Sequence, residues 1–550
     1  MRVRPSMLAY SPASQPACAP QSRRSGNRRR PHGGPPASRS TGPFTGPLTG
    51  LRPPRRRRQP SRAMATLVAT LLPMVLLAGC AVGPDYKRPE TEAMPVWRQD
   101  LRGQLTPGDV RLAGWWQQLG DDTLDALIDR ATEASPSLAL ARARLGEARA
   151  DAGVAQSLLF PTVNVGGLGV RSRQPRALFP LTGGQGATVS ALAIQGAWEA
   201  DLWGRVVRTI RSAEAAEAAA VAGYQDALVV LYAEIANRYV SLRILQQRLA
   251  VAERNVAAQR QSLALVQNRL AAELAPELEA HQATQALATS EATIPRLRSA
   301  IKRTRNALAV LVGAQPGRLD PALAERLDQP APIPRFGGPV GVGIPADTLR
   351  QRPDIRRAER LLAAQTERIG ARQAERLPRL TLSGVFGTAA VGTGLFDAAN
   401  RFFSVGPSLA ANLFSAGALS ARVDAERART AQALAAYEQT VLVALQDVEA
   451  ALIAYGEELD RRRALERAVA ASRQAVTQVK ELYEIGLTDF QNVLDSERSL
   501  LSSEDQLVQS RGLLVTSLIA LYRAVGGGWQ SVPVPGQPPA TGATDEDETP

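Results

Sequence analysis

The stretch that decides the fold runs from Leu202 to Leu270, and its second half reads LRILQQRLAVAERNVAAQRQSLALVQNRL from Leu242 to Leu270. After Gly204 it holds no proline and one glycine, Gly223. The rest is rich in Ala, Leu, Gln, Arg and Glu, all strong helix formers. Leu242, Leu249, Val256, Leu263 and Leu270 recur at every seventh position, the period of a helix coiled against partner helices. At ~1.5 Å per residue this helix is on the order of 100 Å long. A compact core has no use for such a rod, so it spans a distance.

On either side of the rod the pattern changes. Upstream, a helical pattern starts near Leu124, resumes after Pro136 and stops at Phe160-Pro161. Residues Thr162–Val170 and Ala187–Trp198 then alternate with period two, as two strands do. Leu192, Ile194 and Trp198 fall on one face, and Ala191, Ala193 and Gln195 on the other. Downstream of the rod come a turn at Leu274-Ala275-Pro276 and a returning helix over about Leu278–Leu311. Residues 313–345 are rich in Pro and Gly and read as a linker.

The plan then repeats. Pro136 and Pro353 are 217 residues apart, and so are Pro161 and Pro378. Strands are expected over about 380–388 and 402–413, with Asn412-Leu413-Phe414 matching Asp201-Leu202-Trp203 at a spacing of 211. A second rod reaches about Tyr483 and turns at Gly486-Leu487-Thr488-Asp489. The fold expected is therefore mainly α with a transmembrane β-barrel. It consists of two repeats, 121–312 and 346–529, each a helix, two strands, a long helix, a tip and a return helix. Four strands cannot close a barrel; three chains supply twelve, which predicts a homotrimer with a long helical tunnel.

Charge and cysteines bound the function. The formal net charge of +13 rests on residues 1–63, which hold 14 Arg and no acidic residue; the remainder has 51 basic against 52 acidic residues. This excludes nucleic acid as a partner of the folded part, and 1–63 reads as a disordered leader and a gene-model extension. Residues 64–79 form a short apolar signal segment ending in Leu77-Ala78-Gly79 before Cys80, a lipobox that makes Cys80 the site of a covalent lipid. Residues 80–120 are punctuated by Pro and Gly and read as extended, and 530–550 as a disordered acidic tail. Cys18 and Cys80 are the two cysteines, so the mature chain has no thiol pair. Past Cys80, Met94 is the one methionine and His281 the one histidine. These counts argue against a His/Cys metal site and a catalytic triad, so no enzyme, metal or cofactor beyond the lipid is expected. Gly526-Gly527-Gly528 follows a helix and reads as its stop.

The chain resembles the outer membrane factors of tripartite efflux pumps, the TolC-like channels, and specifically the NodT-type lipoproteins. The segments that carry the resemblance are Cys80-Ala-Val-Gly-Pro-Asp-Tyr86, Trp115-Trp116, Arg352-Pro-Asp-Ile-Arg-Arg-Ala-Glu-Arg360, Leu377-Pro378, Leu494-Asp495-Ser-Glu-Arg498 and Gly526-Gly-Gly-Trp529. It implies a passive conduit for small molecules such as antibiotics, joined by a periplasmic adaptor to an inner-membrane resistance–nodulation–division (RND) transporter. It also implies two sites. Gly486, Leu487, Thr488, Asp489 and Leu274, Ala275, Pro276 would meet the adaptor, although Glu273 stands where the second turn has Gly486 and leaves the first tip's shape open. Asp495 would belong to an aspartate ring that gates the tunnel, with Gln491 where an apolar constriction residue is expected. The alternative for Asp495 is an outward ion pair with Arg498. Two rival functions remain at this point: a lipid-anchored periplasmic coiled-coil scaffold without a pore, and a channel for protein or peptide secretion.

Overall fold

The computed structural model describes residues 81–90, 96–108, 111–173, 175, 177, 186–343 and 345–536. Cys80, Met94, the leader, the signal segment and the tail beyond 536 lie outside the described residues.

The two rods have equal length. Helix α3, Arg205–Ala271, and helix α9, Ala418–Glu484, each have 67 residues. Both start behind a glycine at positive φ, Gly204 and Gly417. Ahead of α3 come β1 (Leu105–Pro107), α1 (Asp122–Ala134), α2 (Pro136–Ser157), β2 (Thr162–Arg173) and β3 (Gly186–Ala200). After α3 come α4 (Glu277–Glu291), α5 (Thr293–Leu311), α6 (Pro321–Asp328), β4 (Val340–Val342), α7 (Pro345–Gln351), α8 (Pro353–Ala374), β5 (Arg379–Val391) and β6 (Arg401–Ala410). Helix α10 (Phe490–Ala524) follows α9.

Three expectations change. The return helix expected over Leu278–Leu311 is split at Ala292 into α4 and α5. Pro295 explains the split: it has no N–H to donate, and its ring crowds the carbonyl one turn back. Its counterpart α10 has no proline and runs unbroken for 35 residues. The stretch 313–345, expected as a linker, contains α6, whose start is fixed by Asp320 accepting from Leu323 N–H at 3.1 Å with Pro321 at the first position. It also contains β4, which pairs in parallel with β1. The last strand ends at Ala410, so Asn412 and Leu413 lie beyond it.

One antiparallel sheet has the order β2-β3-β5-β6, which leaves β2 and β6 as edges. Register aligns one apolar face. Val165 lies opposite Ile194, Ile194 opposite Phe386, Trp198 opposite Leu382, and Phe386 opposite Phe403. The other face carries Asn164, Gln195, Ser383 and Ser404. The apolar face is uncovered: Val165 is 72 % exposed and Phe403 78 %.

The core lies midway along the rods. Trp115 stacks on Tyr522 with centroids 5.2 Å apart, and Trp116 packs edge-on against Tyr232 at 4.7 Å. Gly527 and Gly528 let the end of α10 approach these rings, since a Cβ on either would sit 3.0–3.2 Å from Tyr232 or Trp115. Trp115-Trp116 and the terminal glycine run thus form one packed unit.

Candidate functional site: the helix tips and the base of the sheet

Both rods end in the same hydrogen-bonded turn. In the first, Glu273 N–H donates to the Leu270 carbonyl at 3.0 Å and Leu274 N–H to that of Arg269 at 2.8 Å. In the second, Gly486 N–H donates to Tyr483 at 3.1 Å and Leu487 N–H to Leu482 at 2.8 Å. These crossed bonds satisfy the last carbonyls of a helix and require one left-handed residue. That residue has φ 57° at Glu273 and 78° at Gly486. The caps of the returning helices, Pro276 and Asp489, both have ψ 153°. The difference in sequence at Glu273 therefore leaves the shape unchanged. Ala275 and Thr488 are half-buried, whereas Leu274 at 67 % and Leu487 at 72 % exposure project from the tips.

The two tips are tied together by side-chain contacts that the sequence did not reveal. Arg269, in the last turn of α3, donates through Nη1 to the carbonyls of Tyr483 and Glu484, each at 2.9 Å. Its guanidinium also lies 4.7 Å over the Tyr483 ring. The Tyr483 hydroxyl donates to Glu279 Oε2 at 2.5 Å. Burial, and then that carboxylate, hold the phenol above its ordinary pKa. Val266, Ala283, Ala286, Tyr483, Phe490, Val493 and Leu494 form the small core of the tips. Higher up, the buried Glu497 accepts from Lys480 Nζ at 2.6 Å and from Ser262 Oγ at 2.7 Å through one oxygen. Tyr483 marked the end of the second rod in the sequence, but nothing there pairs it with Arg269 or Glu279.

Asp495 and Gln491 share an exposed face of α10, where Gln491 Nε2 donates to Asp495 Oδ1 at 3.0 Å. Arg498 Nη1 reaches the same oxygen at 3.4 Å, so the single chain contains the ion pair with Arg498. His281 is exposed on α4.

At the other end the N-terminal segment braces the rods. Gly83, at φ 107°, lies so close to α8 that a Cβ would be 2.4 Å from Gly370 Cα. Arg208, buried in α3, donates to Glu367 and to Asp85, both at 2.8 Å. The Tyr86 hydroxyl donates to Glu359 at 3.2 Å. Gly83-Pro84-Asp85-Tyr86 is thus a clamp between α3 and α8. Ala81 lies against Gly204, where sheet passes into rod.

The sequence profile described as "Outer membrane efflux protein" matches residues 127–314 and 344–527, together about two thirds of the chain. The chain belongs to the outer membrane efflux protein family. Its place is the outer membrane and its activity is efflux. Nodulation protein T of Rhizobium leguminosarum bv. trifolii is 30% identical over 461 residues, 83% of this chain and 96% of that protein. The antibiotic efflux pump outer membrane protein ArpC of Pseudomonas putida is 30% identical over 474 residues, 84% and 96% of the two chains. Among solved structures, the outer-membrane channel OprN superposes with a TM-score of 0.75 at 36% identity, covering 82% of this efflux protein and all of that chain.

Proposed function

We propose that this efflux protein is the outer-membrane channel of a tripartite RND-type pump. Three copies join β6 of one to β2 of the next and close a twelve-stranded barrel. Their rods form the periplasmic tunnel. The observation that carries this reading is the sheet: four antiparallel strands with one exposed apolar face and two unpaired edges, continuous with rods of 67 residues. Open edges and a bare apolar face are unstable in water, whereas lipid and neighbouring copies satisfy both.

A second feature agrees. Inside the chain Trp203 Nε1 donates to the Pro378 carbonyl at 2.8 Å, joining the bases of the two hairpins. The matching Leu413 and Phe414 are exposed, at 95 % and 86 %. In a closed ring they cover Pro161 of the next copy.

The conduit is passive. The exposed tip leucines Leu274 and Leu487 meet a periplasmic adaptor, and an inner-membrane transporter supplies energy and chooses the cargo, small molecules such as antibiotics. Asp495, with Gln491, narrows the tunnel in the trimer, where three like carboxylates repel and select cations. The protein carries out no chemistry, binds no nucleic acid and needs no cofactor beyond a lipid on Cys80. That lipid fits the position of Ala81 at the base of the sheet. Planar-bilayer recording of the purified protein tests the reading: discrete conductance steps are expected, and a heat-stable protein that never conducts would leave a periplasmic scaffold instead.

A further inference from the structure

Charge on the polar face of the sheet is confined to one end. Side chains two residues apart share a face, so Glu199 belongs with Gln195 and Arg379 with Ser383. These two are the charged residues of that face in the four strands. Both stand at the rod end, because β3 finishes just before α3 and β5 starts just after α8. The junction between β3 and β5, repeated between copies, keeps this face on one side. Trp198 lies opposite Leu382. Leu409 follows Trp198 by 211 residues and Leu382 follows Val165 by 217, so β6 of one copy meets β2 of the next with Leu409 opposite Val165. The apolar face then forms the outside of the ring and the polar face lines its lumen.

At this neck the carboxylates lie behind the guanidinium groups. Glu199 accepts both bonds of Arg205, from Nε at 2.7 Å and from Nη2 at 2.8 Å, the paired geometry of a strong arginine–carboxylate contact. Arg379 Nε approaches the same carboxylate at 3.6 Å. Just below the sheet, Glu375 accepts from Arg372 Nη1 at 2.8 Å, and Arg422 Nη1 stands 4.0 Å from its other oxygen. Asp201 is engaged at the start of α3, where its Oδ2 accepts from the Val207 N–H at 2.9 Å. The side chains of Arg379 and Arg422 are 54 % and 62 % exposed, those of Glu199 and Glu375 19 % and 20 %. Glu199, Asp201, Arg205, Glu375, Arg379 and Arg422 line one cavity of about 810 Å³. The water-facing charge of the neck is therefore positive. A ring of like charge on a low-dielectric wall focuses its field into the lumen, and arginine rings favour anions. Guanidinium stays charged at every physiological pH. Asp495 lies near the far end of rods that are on the order of 100 Å long, about ten Debye lengths at 0.1 M salt. The acidic tip therefore leaves the field at the neck intact.

We propose that the neck between barrel and tunnel is an anion-selective belt, in which Arg379 and Arg422 of the three copies concentrate cargo bearing carboxylate or sulfonate groups. The proposal rests on the trimeric-barrel reading. Its test puts one cysteine on the lumen wall, Ser383→Cys, about 13 Å above Arg379 at ~3.4 Å per residue. Intact outer membranes in 0.1 M salt are treated with a sulfonate-bearing methanethiosulfonate and, separately, with a trimethylammonium-bearing one, each rate being divided by that for free cysteine. The sulfonate reagent is expected to be favoured by about tenfold. Arg379→Gln combined with Arg422→Gln should bring the ratio to about one, as should 1 M salt in the unsubstituted neck. Arg379→Lys combined with Arg422→Lys keeps the charge and should keep the preference. A reactive cysteine whose ratio is near one from the start, is unmoved by the glutamine variants, or falls equally in the lysine variants overturns the belt and leaves the barrel standing. A cysteine at 383 that neither reagent reaches overturns both.

Discussion

The two helix tips share a backbone and differ in chemistry. At the first, Glu273 takes the left-handed conformation that Gly486 takes at the second, and both turns make the same pair of hydrogen bonds. Leaving a helix's last carbonyls unsatisfied costs more than holding one non-glycine residue at positive φ, which is about 1–2 kcal/mol. The side chains beyond the turns diverge. One helical face carries Leu278, Gln282 and Gln285 after the first tip, and Gln491, Asp495 and Arg498 after the second, positions 213 residues apart. In the proposed trimer this common shape lets the two hairpins take alternating places around the tunnel, and the unlike surfaces put the charged one toward its axis.

The strongest way to break this comparison is to remove what the tips share. Leu274→Asp combined with Leu487→Asp is expected to reduce antibiotic resistance to the level of a strain lacking the channel, while heat-stable trimers persist. Resistance at the parental level would separate the tips from the adaptor. Asp495→Ala addresses what they do not share. Conductance in planar bilayers should rise several-fold, and Gln282→Ala at the corresponding place should leave it unchanged. Equal responses would remove the distinction between the hairpins.

A third change acts on the tie between tips. Arg269→Ala deletes two charge-assisted hydrogen bonds and a cation–π contact, interactions of about 1.5–3 kcal/mol for a charged donor. Hydrogen exchange should speed up over residues 482–489, with the middle of α9 unaffected. The smallest effects concern the turn itself. Glu273→Gly is expected to stabilise the tip by about 1 kcal/mol and Gly486→Ala to destabilise it by a similar amount, as read from local exchange protection. The same sign for both would contradict the shared geometry.

The rods, the hairpins and the repeat order were legible because length, heptad spacing and alternation are local properties. What was missed depends on single residues or on contacts far apart in sequence. Pro295 stood in plain view inside the expected return helix, yet one proline among many apolar positions was outweighed by the pattern around it. The helix Pro321–Asp328 was hidden by the prolines of its surroundings, although Asp320-Pro321 is itself a helix start. The core of the tips went unread, and Arg269 reaches Tyr483 from 214 positions away. Gly83-Pro84-Asp85-Tyr86 and Arg352-Pro353-Asp354 stood out as motifs without a physical reason. Folded, the first clamps two helices through Arg208, and the buried Arg352 donates to the Ala524 carbonyl at 2.7 Å, securing the end of α10.

The central claim is that open sheet edges of separate copies meet. Its most direct measurement is oxidation of a chain carrying Val165→Cys and Leu409→Cys, residues placed opposite each other across that seam by the internal junction. Directly opposed strand residues lie about 4.5–5.5 Å apart at Cα, within reach of a disulfide. Oxidation in intact outer membranes should give covalent dimers and trimers that vanish on reduction, and neither single variant should give them. Monomers alone, with both cysteines reactive toward maleimide, would contradict the ring.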